Sequence, residues 1–152
     1  MASAQKTFIS STNWTERIGP VAAIATIRKH GAVDAAKHLV ALGERVQSGW
    51  LESASRNGLS IHVEGMKPMG HFNFEGDRAQ AMKAYFIQLM LEQGFLASNL
   101  FYAMYAHTFD HVSRYLAATD SAFEQIVYAL AQGDLEKRLL GKPSSVGFRR
   151  VT

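Results

Sequence analysis

The chain contains no cysteine. Disulfides, a thiolate nucleophile and thiolate-ligated zinc are therefore excluded, and a cytoplasmic location is the expectation. Excess charge is also small, with a formal net charge of +3. The basic residues gather mainly near the end, at Lys137, Arg138, Lys142, Arg149 and Arg150, without interleaved stacking aromatics. A nucleic-acid platform needs a denser cationic stripe, so no nucleic-acid partner is expected. No run approaches the roughly 18 apolar residues that span a bilayer, so no membrane partner is expected either. The opening Met1-Ala2-Ser3-Ala4-Gln5-Lys6 carries no apolar segment of the kind a secretory signal needs. Internal repeats and low-complexity segments are absent as well.

What is present is an ordinary globular composition, 47% hydrophobic and 19% charged over 152 residues, which suits one domain with one core. Gly19-Pro20 opens a run of small apolar residues, Val21 to Ile27, that reads as a helix with Pro20 in its first turn. His30-Gly31 reads as its stop, with Gly31 at the left-handed position. From Asp34 to about Arg56, Leu39, Leu42, Val46, Trp50 and Leu51 recur at helical spacing, and Asn57-Gly58 ends the helix. Leu59 to Val63 and His71 to Glu75 alternate apolar and polar residues around Gly65-Met66-Lys67-Pro68, the pattern of an antiparallel strand pair.

Asp77 is a candidate N-cap for a helix from Arg78 to about Gln93, with Met82, Tyr85, Phe86, Leu89 and Met90 on its apolar face. Phe95–Ser98 and Ala103–Ala106 are short strand candidates around a loop, Asn99–Tyr102. Thr108 caps a last helix from Phe109 to about Ala131, and Gly133 onward reads as a polar, basic tail. The order predicts an α+β fold, a small antiparallel sheet covered by helices. Residues 1–32 form an interface loop and linking helix, 33–133 the α+β core and 134–152 the tail.

The run Ser10-Ser11-Thr12-Asn13-Trp14-Thr15-Glu16-Arg17-Ile18-Gly19-Pro20-Val21-Ala22-Ala23-Ile24-Ala25-Thr26-Ile27 resembles the segment after the active-site lysine of class III pyridoxal-phosphate-dependent aminotransferases. The branch it resembles is that of glutamate-1-semialdehyde aminomutase. Met104-Tyr105-Ala106-His107-Thr108 is similar to the strand-to-helix junction of the family's small domain, and Ser145 to Thr152 is similar to a family C-terminus. Asn13 departs from the pattern, which has an aromatic residue before Trp14. The resemblance covers nearly the whole chain but only the C-terminal third or so of a full-length enzyme. It implies the C-terminal small domain of a fold-type-I aminotransferase, missing its larger N-terminal domain and belonging to a homodimer. It also implies pyridoxal phosphate as cofactor of the complete enzyme and a small amino-acid-like substrate. Thr12, joined by Ser11, would contact the cofactor phosphate of the neighbouring subunit.

That chemistry needs a Schiff-base lysine and an acidic partner for the pyridine nitrogen. None of Lys6, Lys29, Lys37, Lys67, Lys83, Lys137 and Lys142 lies in a glycine-flanked loop like the family's catalytic lysine. Both groups are implied to lie upstream. No catalytic residue is therefore assigned, the isolated chain is expected to be inactive, and stoichiometric cofactor binding is not expected. Ser11 and Thr12 can instead form a turn that satisfies its own backbone. His107 and His111 have the spacing of a helical zinc pair, but Thr108 as cap leaves His107 outside the helix, and His62 and His71 lack a third ligand. No metal site is expected. The rival reading is a stand-alone, non-catalytic α+β binding or interaction module.

Overall fold

The computed structural model describes residues 16–143. Ser11 and Thr12, and the end of the chain from Ser144, lie outside the described residues. The chain divides into two compact units, Met1–Ala35 and Ala36–Thr152.

The first unit contributes helix α1, Ile18–Ala32. Pro20 lies in its first turn, where a missing N–H breaks no helical bond. No residue of α1 is buried, and Ile18, Val21, Ile24 and Ile27 are all exposed. The stop differs from expectation. Gly31 stays helical, and the left-handed residue is Asp34, with φ 47°. Aspartate tolerates that region better than most side chains.

The second unit holds the core. Helix α2, Ala35–Asn57, places Leu42, Val46, Trp50 and Ala54 on one fully buried stripe. Leu51, expected on that face, is half exposed, because it falls one position outside the i, i+4 row. Strands β1, Ile61–Met66, and β2, Met69–Phe74, pair antiparallel with Ile61 opposite Phe74 and Met66 opposite Met69. Helix α3, Ala79–Glu92, buries Met82, Tyr85, Phe86, Leu89 and Met90. Its N-cap is Arg78 and not Asp77, and it has no side-chain cap. Gly76 at φ 94° sets a turn closed by Ala79 N–H to the Gly76 carbonyl, which moves the start past Asp77.

The third strand departs furthest from expectation. It is β3, Leu100–Tyr102, the segment read as a loop, and neither flanking candidate is a strand. β3 pairs with Met69–His71. Phe95–Ser98 is held in turns by Phe95 N–H to the Met90 carbonyl and Ala97 N–H to the Phe95 carbonyl. The sheet order is β1-β2-β3, all antiparallel.

Helix α4, Phe109–Gln132, ends at Gly133 in the left-handed conformation, φ 68°. A turn of 3-10 helix, Leu135–Arg138, follows, and its Leu135 is wholly buried, so the chain past Gly133 opens with a core residue. One sheet face turns Phe72, Phe74 and half-buried Ile61, Val63 and Phe101 toward the helices. Phe72 is the hub, edge-on to Trp50 at 5.0 Å, Phe86 at 5.2 Å, Phe74 at 5.3 Å and Phe123 at 5.7 Å. Such ring pairs add to the burial energy. The other face carries exposed His62, Glu64, Met66, Met69, Asn73 and Tyr102. The fold is α+β, a small three-stranded antiparallel sheet packed with helices, as expected.

Candidate functional site

The residues assigned to cofactor binding, Ser11 and Thr12, lie outside the described residues. Lysine chemistry can be examined at the described positions. Lys29, Lys37, Lys67, Lys137 and Lys142 are exposed, and Lys83 is half-buried. None of them lies in a buried cavity of the sort that lowers a lysine's pKa for Schiff-base formation. The described residues therefore do not fit the covalent cradle of pyridoxal phosphate.

The histidines are arranged by hydrogen bonding. On the open sheet face, Glu64 bridges two imidazoles: its carboxylate meets His62 Nε2 at 2.7 Å and His71 Nε2 at 3.2 Å. Strand register explains this, since Glu64 lies opposite His71 and two residues from His62 on the same face. Among the described residues no group of three or more metal-ligating side chains is placed to hold an ion.

His107 and His111 meet differently. Thr108 is the N-cap of α4 as expected, accepting from His111 N–H at 3.2 Å. His111 returns the bond, its Nδ1 accepting from Thr108 N–H at 3.2 Å. This is a capping box with histidine in the position usually held by Glu or Gln. His107 lies just outside the helix, and its Nδ1 accepts from Met104 N–H at 3.2 Å. Its carbonyl accepts from His38 Nε2 at 2.9 Å, which ties the 104–107 loop to α2. Burial lowers the pKa of His107, and the nearby His111 and His38 lower it further.

These two imidazoles line one cavity of about 350 Å³ between the 95–104 segment and the first turns of α4. Its walls are aromatic. Phe101 stacks on His107 with centroids 5.4 Å apart and leans on Tyr115 at 5.8 Å, while Phe95 meets Tyr115 edge-on at 6.0 Å. The Tyr115 hydroxyl accepts from Trp50 Nε1 at 3.0 Å, and burial pushes its pKa up to about 12. Tyr115 is therefore a neutral wall and not an acid or base at physiological pH.

The structure half-buries Phe101 but leaves Tyr102, Met104 and Tyr105 exposed. The cavity's one legible signal was the Thr108-x-x-His111 cap, which fixes where the second imidazole starts. The residues 95–101 could be placed only through β3 pairing.

Neither the protein-family models nor the curated protein sequences match the chain. Among solved structures it is similar to the PLP internal aldimine form of the Sphingopyxis sp. MTA144 FumI protein. The TM-score is 0.74 at 25% identity, over 86% of this chain and 32% of that one. The chain thus spans less than a third of that protein's length. Its small antiparallel sheet packed with helices agrees with the C-terminal small domain of a PLP-dependent enzyme.

Proposed function

We propose that this chain is the C-terminal domain of a pyridoxal-phosphate-dependent aminotransferase or aminomutase, similar to glutamate-1-semialdehyde 2,1-aminomutase. The observation that carries the reading is the shared fold with FumI over 86% of the chain. The 32% coverage of FumI supports a larger domain as the missing partner. Helix α1 supports it from its own surface. Its apolar residues run round the whole circumference and none is buried, the character of a helix made to be covered.

In the dimeric parent, Thr12 and Ser11 donate hydrogen bonds to the phosphate of the neighbouring subunit's cofactor. The cofactor supplies the carbonyl that carries an amino group between small amino-acid-like molecules. The covalent lysine belongs to the missing domain. That none of the described lysines is buried supports that division of labour. What this chain contributes is binding and orientation, with no proton transfer assigned to it.

The test uses the isolated chain mixed with pyridoxal phosphate, reduced with borohydride and digested for mass spectrometry. The expected result is scattered, substoichiometric modification of surface lysines. Stoichiometric labelling of one lysine would overturn the assignment of covalent chemistry to the missing domain.

A further inference from the structure

Of the chain's asparagines, only Asn57 is followed by glycine; Trp14, Phe74 and Leu100 follow Asn13, Asn73 and Asn99. The difference is chemical. A backbone nitrogen can attack the side-chain carbonyl carbon of the asparagine before it, and a bulky follower obstructs an approach that glycine allows. The structure adds to what the dipeptide alone says. Asn57 is the last residue of α2, where helices fray, and Gly58 is exposed at φ 69° with open space where a side chain would project. The Gly58 N–H donates to the Ser55 carbonyl at 3.3 Å, longer than the usual range for such a bond.

The carboxamide is held harder than the nitrogen that would attack it. Asn57 Nδ2 donates to the Ser53 carbonyl at 2.9 Å and to Asp120 Oδ1 at 3.1 Å. The same Asp120 oxygen accepts from Arg56 and from the Ser53 hydroxyl. The nitrogen that would leave as ammonia is thus tied into the contact between α2 and α4. The helical turn restrains the Asn57 backbone, and the Asp120 bond restrains its side chain.

We propose that Asn57 is a site of spontaneous deamidation, that its hydrogen bond to Asp120 holds the rate down, and that the product unfastens α2 from α4. The Gly58 nitrogen attacks Asn57 Cγ, its proton passes through solvent to Nδ2, the Cγ–Nδ2 bond breaks and ammonia leaves. Water then opens the five-membered imide at either carbonyl, giving aspartate or isoaspartate, with no change of oxidation state. Either product replaces a donor to Asp120 with a second carboxylate, and like charges so close repel. None of this depends on pyridoxal phosphate.

The test is incubation of the full chain at mildly alkaline pH, sampled over time and read by peptide mass spectrometry with isoaspartate scored separately. Asn57 should convert before Asn73 and Asn99. Asp120→Ala should speed its conversion about fivefold or more, the weight of a hydrogen bond to a charged group. Asp120→Asn keeps the shape without the charge; it should speed conversion less, and it serves if Asp120→Ala does not fold. Gly43→Ala strains α2 in its first half and should leave the rate unchanged, which separates loss of the clamp from a general loss of stability. Asn57→Asp, one product made directly, should lower the urea midpoint. Asn57 left intact in every form, Asn73 or Asn99 converting first, or a rate unaltered by both Asp120 variants would each overturn the proposal. So would an equal rise in Gly43→Ala, or an unchanged midpoint in Asn57→Asp.

Discussion

Asp120 shows how single side chains fasten this fold. Its Oδ1 accepts from Arg56 Nη2 at 2.8 Å, from Asn57 Nδ2 at 3.1 Å and from the Ser53 hydroxyl, so one atom clamps the end of α2 to the middle of α4. The Ser53 bond is the main cause of its lowered pKa, with Arg56 and Asn57 adding to it against some desolvation. A carboxylate whose folded pKa is depressed adds stability above its unfolded pKa and loses it as pH falls through the folded one. Asp120→Asn should thus cost about 1 kcal/mol at neutral pH, discounted for partial exposure. In urea melts the gap to wild type should close in acid. His107 acts with the opposite charge. Its pKa is lowered, so below its ordinary value the unfolded chain takes up the proton first and stability falls with pH. His107→Gln should flatten that decline between about pH 7 and pH 5, measured by urea midpoint after subtracting the wild-type slope.

At the scale of elements, helix ends and close approaches decide where the pieces sit. Thr108→Ala removes the acceptor for His111 N–H and should cost about 1 kcal/mol, read by thermal melting. His111→Glu should hold or raise the melting temperature because it restores the ordinary capping pair. A Cβ on Gly43 would overlap the Lys67 carbonyl of the β1–β2 turn, which packs hard on α2. Gly43→Ala should therefore destabilise by roughly 1–3 kcal/mol although alanine favours helix. Much of this level was legible in the sequence. The Leu42, Val46 and Trp50 spacing gave α2, the Met82 to Met90 face gave α3, and Thr108 gave the start of α4. The third strand was not legible. Leu100-Phe101-Tyr102 has no alternation to show over three residues, and its strand character comes from pairing with Met69–His71. Leu135 was hidden for a related reason, since one apolar residue in a charged stretch has no period.

For the molecule as a whole, helix α1 presents an apolar surface out of proportion to its size. Ile18, Val21, Ile24 and Ile27 are each at least half exposed, on a helix with no buried residue. An apolar surface of that kind is costly in water. The isolated chain should self-associate through it, visible as concentration-dependent sedimentation, and Ile24→Glu should shift it toward monomer. A clean monomer at high concentration would contradict this. The proposed contact with a cofactor rests only on the likeness of the Ser11-Thr12 segment to a family. Composition and spacing alone leave those hydroxyls indistinguishable from an ordinary turn.

The central claim is that the covalent chemistry belongs to residues outside this chain. Its most direct test is borohydride reduction of the native protein that contains these residues, with its cofactor in place, followed by peptide mass spectrometry. The account predicts a phosphopyridoxyl-lysine in a peptide that does not come from positions 1–152. A phosphopyridoxyl group on one of the lysines within those positions, or a native protein that holds no pyridoxal phosphate at all, would contradict it.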